Sequence, residues 1–391
     1  MRSVSQGFLA DVDLSANAIE QARQRAAAGA GYIDLTSSNP TQQGWLFPPD
    51  VLREAAEPFW AQRRYAPDPR GRLEARQAIA AYYQRRTPAL VMPVDDIFIT
   101  ASTSEAYSLL FALLTEPGDN VLAPDVSYPL FDYLAAIHHV ELQPYHLDPQ
   151  RGWQVDGDSL RDAVDARTRA VLLISPHNPT GAVITVAVPA LDDVGLPVIC
   201  DEVFAEFTYG VPHVPPLGAL HPALPVFHLN GISKLFALPD LKLGWMALSG
   251  AASARYGERL EVLNDMFLGA NSLTQFMLPQ LFARGWGFVE ALRTHVRHNF
   301  DLALRLLAAH PRIHARPPAG GYNLLCEVRG EPDEEALVLR LLARGVLVHP
   351  GYFFNCVPED AEHAYVMISC LTESDTLQRG LQHLLRALAE G

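Results

Sequence analysis

Two residues of one short stretch offer chemistry that the rest of the chain avoids. Of 30 basic residues only Lys234 and Lys242 are lysine, and both lie within residues 230–245. A guanidinium stays protonated, whereas a desolvated lysine amine loses its proton and condenses with a carbonyl carbon. A coding bias toward arginine accounts for the missing lysines but not for the clustering of the two that remain, so amine chemistry is expected here. Other polar groups precede them: Ser102-Thr103-Ser104, then Asn178-Pro179-Thr180-Gly181, then Asp201-Glu202. Each alone has a plainer explanation, as a helix N-cap, a turn and a strand-end cap respectively.

The elements around these groups give them a common address. Short apolar runs at 97–100, 120–123, 140–142, 170–174, 197–200, 226–229 and 244–248 alternate with helical patterns such as 104–114 and 130–137, the sequence form of a mainly parallel sheet covered by helices. The polar clusters then fall at the C-terminal ends of predicted strands, where open α/β sheets place their ligands. Ser102, Thr103 and Ser104 open a helix, where amides and hydroxyls suit a bound anion. After about residue 290 the pattern becomes α+β, with strands expected at 322–328, 346–349 and 365–370 and amphipathic helices at 334–343 and 376–389. The length suits a large α/β domain with a smaller companion, divided as an N-terminal arm and part of the small domain at 1–45, a large domain at 46–288 and the small C-terminal domain at 289–391.

Composition removes several classes. A formal charge of −14 argues against a nucleic-acid partner. Cys200, Cys326, Cys356 and Cys370 are scattered, without a metal-ligand spacing or a disulfide framework, so no metal is expected and reduced, buried thiols in a cytoplasmic protein are. His138-His139 and the His295, His298 and Asp301 helix face are read as ordinary surface groups. No apolar run approaches the length of a membrane span. Neither GxGxxG nor GxxxxGK[ST] occurs, which removes the dinucleotide and P-loop readings.

In the order Tyr65, Thr103-Ser104, Tyr128, Asn178, Asp201, Lys234 the constellation resembles the class I/II aminotransferases, pyridoxal-phosphate enzymes of fold type I. The likeness runs from about residue 35 to 369 and is strongest in Ser175-Pro176-His177-Asn178-Pro179-Thr180-Gly181, Cys200-Asp201-Glu202-Val203-Phe204-Ala205-Glu206-Phe207, and Ser233-Lys234 with Leu243-Gly244-Trp245. It implies a seven-stranded, mainly parallel sheet in the large domain and pyridoxal 5'-phosphate as cofactor. Lys234 would form the Schiff base and shuttle protons; Asp201 would pair with the pyridine nitrogen. Asn178 would donate to the phenolic oxygen and Tyr128 would stack on the ring. Ser102, Thr103, Ser104, Ser233 and Lys242 would surround the phosphate, and Tyr65 would reach the phosphate of a second subunit in a homodimer. Ser38, Arg70 and Met367 are the substrate-side candidates.

Four positions depart from the family pattern. Lys242 stands where the family has an arginine, Gly231 where it has a serine, and Phe204 where a tyrosine donates to the phenolic oxygen. Met367, in Tyr365-Val366-Met367-Ile368-Ser369, occupies the place of the arginine that grips the substrate α-carboxylate. Either another cation, with Arg70, Arg72 or His349 as candidates, takes over, or the substrate amine has no α-carboxylate. The expected activity is transfer of an amino group between a donor and a 2-oxo acid through a pyridoxamine intermediate. The alternatives are an elimination, decarboxylation, cyclisation or oxidation on the same fold, or a non-catalytic ligand sensor.

Overall fold

The computed structural model describes residues 15–358 and 360–390, so residues 1–14 of the expected N-terminal arm lie outside the described residues. Seven strands form the central sheet: β1 (Ile97–Thr100), β2 (Asn120–Pro124), β3 (Glu141–Tyr145), β4 (Thr168–Ile174), β5 (Val198–Asp201), β6 (Val226–Gly231) and β7 (Gly244–Ser249). Their order across the sheet is β1-β7-β6-β5-β4-β2-β3. All pairings are parallel except those of β7, which runs antiparallel to both β1 and β6.

The near-continuous apolar runs are explained by burial on both faces. Alternate residues serve different cores. Leu172, Ile174, Ile199, Phe227 and Leu229 pack under the helices Thr103–Leu114 and Ala252–Asp265, while Val171, Leu173, Val198, Cys200 and Val226 pack on the other face with Leu160 and Leu191. The expected strands and the helices at 104–114 and 130–137 agree with the structure to within a few residues.

A second sheet has the order β8 (Ile313–Ala315), β9 (Asn323–Arg329), β11 (His363–Ser369), β10 (His349–Pro350). The strand expected at 346–349 divides in two. Val346–Leu347 pairs in parallel with Ile33–Asp34, and His349–Pro350 pairs with β11. A pairing across more than 300 residues has no local signal, so it could not be read from periodicity. The 22-residue helix Trp286–Leu307 carries the chain between the two sheets, and the expected boundary at 288/289 falls in its first turn. His298 and Asp301 on this helix are exposed as expected, but His295 is drawn inward, against the Trp45 ring at 4.9 Å and the Thr372 carbonyl at 3.0 Å. All four cysteines are buried free thiols, and no helix among the described residues is long and apolar enough to cross a membrane.

One buried charge cluster sits directly beneath the end of β5. Glu202 accepts from Arg86 at 2.9 Å and from the Tyr83 hydroxyl at 3.3 Å, and lies 3.1 Å from His228 Nδ1, whose Nε2 meets Ser249 Oγ at 3.0 Å. Burial alone would raise the Glu202 carboxyl, but Arg86 and His228 hold it down to about 2. Cys200 lies close enough to form a metal-like trio with Glu202 and His228, yet Glu202 already has a counter-charge in Arg86. Removing that guanidinium leaves a carboxylate buried without a counter-charge. Arg86→Ala is therefore expected to destabilise the fold by about 3–5 kcal/mol, read from the shift of the chemical denaturation midpoint, and Glu202→Gln in the same background should recover part of the loss.

Candidate active site

The C-terminal ends of β4, β5 and β6 bring three of the sequence candidates to one cleft. Asn178 follows β4 in a loop fixed by His177, whose ring bonds the Thr180 hydroxyl at 2.8 Å and the Val126 carbonyl at 2.9 Å. Asp201 is the last residue of β5. Lys234 lies on the one-turn helix Ile232–Leu235 that β6 runs into, with Ser233 half-buried beside it.

Asp201, buried, and Lys234, half-buried, are an acid and an amine with no salt bridge between them. Asp201 is 6% exposed, and its carboxylate accepts from the Val203 amide at 3.0 Å and the Tyr107 hydroxyl at 2.9 Å. Burial pushes it up to about 6 despite those two donors, with the Glu202 charge adding to the rise and Lys234 offsetting little. Lys234 points instead to the Ser38 carbonyl, 3.4 Å from Nζ, with the Phe204 ring 5.9 Å away. Burial lowers its pKa, and Asp201 opposes this only partly. The amine is thereby brought toward its reactive, neutral form. The contrast with Glu202 is informative: two consecutive carboxylates share one strand end, yet only Glu202 has an internal cation. Among the described residues Asp201 has no salt-bridge partner, and Lys234 offers it only a weak counter-charge.

An anion place opens nearby. Ser102 caps the helix Thr103–Leu114, its hydroxyl accepting from the Glu105 amide at 3.1 Å, with Thr103 and Ser104 in the first turn. Gly244 at the start of β7 crosses this helix end so closely that a Cβ would stand 2.8 Å from the Ser102 carbonyl carbon and 2.9 Å from the Thr103 nitrogen. Gly231 is as tightly fitted, 2.9 Å from the Leu243 carbonyl oxygen. Gly231 lets the two strands close against each other, and Gly244 keeps a side chain off the helix start, where the dipole and backbone amides suit an anion.

The remaining candidates are distributed as follows. Tyr128 is exposed, its ring 6.2 Å from Phe131 and 6.4 Å from Phe354. Lys242 is exposed in the single chain and holds a left-handed backbone at φ +49°, an uncommon conformation for a side chain of its length. Tyr65 is 73% exposed and touches none of these groups within its own chain. Arg70 is occupied elsewhere: it pairs with Glu261 at 2.6 Å, bonds the Asp95 carbonyl and lies 5.0 Å from the Phe98 ring. Arg72 faces Glu74 and the Phe276 ring. Met367 is only 2% exposed, packed with Val126, Phe354 and Cys356, and it pairs across the sheet with His349, whose pKa burial lowers.

Three residues of this site were not among the sequence candidates. Tyr107 stands on the buried face of the helix that begins at Thr103, and its one signal was a hydroxyl among apolar neighbours. Tyr322 and Asn323 come from the second sheet. The Tyr322 hydroxyl donates to the Lys234 carbonyl at 3.3 Å, and Asn323 Nδ2 donates to Asn178 Oδ1 at 2.8 Å. No local pattern marked them.

The aminotransferase class I and II family profile matches residues 30–384. The chain belongs to this family. Tyrosine aminotransferase of Dictyostelium discoideum is 31% identical over 248 residues, 61% of this chain and 57% of that protein, so the match spans little more than half of that relative. Alanine aminotransferase of Mycobacterium tuberculosis is 28% identical over 351 residues, 86% of this chain and 81% of the relative. Among solved structures, an Escherichia coli aminotransferase superposes with a TM-score of 0.85 at 25% identity, covering 100% of this chain and 98% of its own. The fold is the type I fold of pyridoxal-phosphate aminotransferases, as the sequence led us to expect.

Pyridoxal 5'-phosphate is the cofactor of this family, and the residues present fit it. An unpaired buried carboxylate, an amine with a lowered pKa and a glycine-cleared helix end match its ring nitrogen, aldehyde and phosphate respectively. Because the Asp201 pKa is raised, its carboxylate is the dominant form only above about pH 6 and is lost as the pH falls through that value. Cofactor affinity is therefore expected to weaken below pH 6, by up to about tenfold per pH unit. Tyr107→Phe removes a donor to the charged form, so the onset should move to higher pH by about half to one unit. Dissociation constants from absorbance titrations across pH 5–8 test both; an unmoved onset in Tyr107→Phe would show that this hydroxyl does not hold the carboxylate.

Proposed function

We propose that this protein is a pyridoxal-phosphate-dependent aminotransferase that moves an amino group between an amine donor and a 2-oxo acid. The observation that carries the reading is the unpaired pair, buried Asp201 and half-buried Lys234, at the ends of adjacent strands without a common salt bridge. When bound, the cofactor supplies an electron sink that accepts the pair released as a bond at the substrate carbon breaks. Lys234 would hold the cofactor through its amine and, once freed, would carry the proton to and from the reacting carbon. Asp201 would keep the ring nitrogen protonated. Asn178 would offer a donor to the phenolic oxygen, Tyr128 would cover the ring face, and Ser102, Thr103, Ser104, Ser233 and Lys242 would hold the phosphate.

Lys234→Ala should lower turnover by at least about 10²–10⁴-fold. In the intact enzyme, an amine should discharge the absorbance of the bound cofactor and a 2-oxo acid should restore it. Release of ammonia or carbon dioxide in place of that reversible cycle would move the assignment to elimination or decarboxylation. A discharge that no oxo acid reverses would favour the ligand sensor.

The substrate side favours donors without an α-carboxylate. Met367 is sealed into an apolar cluster, Arg70 and Arg72 have acidic partners of their own, and burial favours the neutral form of His349. A carboxylate seated against this wall would lose several kcal/mol of solvation without a cation to replace it, and the 2-oxo acid acceptor carries the same burden, so it should bind weakly, with a high KM. Matched pairs such as tyramine and tyrosine are expected to differ by more than about a hundredfold in kcat/KM in favour of the amine. Met367→Arg should narrow or reverse the preference.

We further propose a cytoplasmic homodimer with shared sites. Trp60, Tyr65, Met266, Phe267 and Leu268 are all more than half exposed, and segments 59–65 and 271–273 line one open depression of about 390 Å³. Exposed apolar side chains in such density mark an interface. In a shared site, inactive Lys234→Ala and weakened Tyr65→Ala proteins regain activity when their subunits are exchanged, because one of the two sites of the hybrid is intact. Mixtures no more active than their parents would exclude the sharing.

A further inference from the structure

Asn178 and Asn323 approach the cleft from different sheets and meet amide to amide, with Asn323 Nδ2 donating to Asn178 Oδ1 at 2.8 Å. Asn323 is 5% exposed, and its own Oδ1 has no hydrogen-bond partner among the described residues. An amide has one accepting end and one donating end. Once Asn178 Oδ1 is taken, its Nδ2 is the end left for the cleft. Turning both amides over would reverse this, presenting an oxygen to the cleft and leaving buried N–H groups of Asn323 in want of acceptors. The observed arrangement leaves an acceptor unmatched instead, which is the less costly orphan.

The backbone around Asn323 leaves little freedom for the pair to drift apart. The Ala319 and Gly320 amides both donate to the Gly181 carbonyl, at 3.0 and 2.9 Å, and the Gly321 amide donates to the Phe207 carbonyl at 2.9 Å. A Cβ on Gly181 would lie 2.4 Å from Pro318 Cβ, and one on Gly320 would lie 2.6 Å from Pro176 Cγ. Contacts this close exclude side chains from the seam, so the start of β9 is sewn to the loop that carries Asn178. The next side chain back, Tyr322, reaches the Lys234 carbonyl from the same seam.

We infer that Asn323 is a positioning residue, holding the Asn178 amide so that its Nδ2, and not its oxygen, faces the phenolic oxygen of the cofactor. This rests on the reading that Asn178 faces that oxygen. Phe204 offers no donor, so the Asn178 N–H has no hydroxyl beside it to share the task. A donor there draws charge from the phenolic oxygen and weakens its hold on the proton of the neighbouring nitrogen. Losing the donor should raise the pH at which the absorbance of the cofactor-loaded enzyme changes.

The experiment is a spectrophotometric pH titration of the loaded enzyme in four variants, with circular dichroism to verify folding. Asn178→Ala, which removes the donor outright, should raise the midpoint by about half to one unit. Asn323→Leu should raise it in the same direction by freeing the Asn178 amide. Asn323→Asp, an acceptor that draws Asn178 Nδ2 to itself, should raise it at least as far. The double variant Asn178→Ala/Asn323→Leu should match Asn178→Ala alone, because Asn323 acts only through Asn178. A midpoint that moves in Asn178→Ala but not in Asn323→Leu overturns the inference and leaves the Asn178 contact standing, and so does an additive shift in the double variant. A midpoint unmoved in Asn178→Ala removes the contact itself, and the role of Asn323 with it.

Discussion

The buried carboxylate of Asp201, with two hydrogen-bond donors but no cation, is the constraint around which the rest of this structure is arranged. Its neighbour Glu202 is also buried and is held near 2 by Arg86 and His228, while Asp201 rises to about 6. Asp201 ends β5 and Glu202 follows it, and the two side chains enter different environments, Asp201 beside Tyr107 and Glu202 beside Arg86 and His228. A rise of about two pKa units corresponds to about 3 kcal/mol held against the ionised form. A cationic ring nitrogen held beside Asp201, as proposed, would relieve that cost, so part of the cofactor's binding energy would come from neutralising this carboxylate. Lys234 completes the logic. It is deep enough for burial to lower its pKa, and its nearest partner is a neutral carbonyl, so its amine stays available.

What was legible in the sequence follows the range of the interactions involved. The central strands could be read because each buries both faces and so carries a continuous apolar run that needs no knowledge of its neighbours. Asn178, Asp201 and Lys234 could be singled out because each follows such a run directly, and strand ends are where an open sheet collects its ligands. The glycines of the anion place gave no such signal. Gly231 and Gly244 are required by contacts with Leu243 and with the helix start after Ser102, and only the folded sheet order puts β7 between β1 and β6.

The parts that could not be read are those set by long-range pairing. Ile33–Asp34 lies beside Val346–Leu347, and Tyr322-Asn323 lies beside Lys234 and Asn178, in each case with no periodicity to announce the partner. Tyr107 is intermediate. It occupies the buried face of a correctly expected helix, yet which group its hydroxyl meets depends on β5 being laid beneath that helix. Arg70 shows the same limit from the other side. Its charge could be read from the sequence, but its commitment to Glu261, 191 residues away, could not.

The second sheet joins two tasks that are usually discussed apart. Asn323 opens β9 opposite Ser369 of β11, and Leu325, two residues on, pairs with Met367. The residue proposed to aim Asn178 and the residue proposed for the substrate wall are thus neighbours in one antiparallel ladder, on strands joined along seven paired residues. Side chains two apart on a strand share a face, so a change of volume at Met367 presses on Leu325 and, through a backbone that cannot stretch, on the position of Asn323. The seam at Gly181 and Gly320 resists that displacement on the other side, since neither glycine can accept a side chain. On the proposed roles of Met367 and Asn323, a change at the substrate wall would therefore carry through this ladder to the Asn178 amide. A buried methionine, shorter than an arginine but flexible enough to fill irregular space, would keep the ladder packed without introducing a charge.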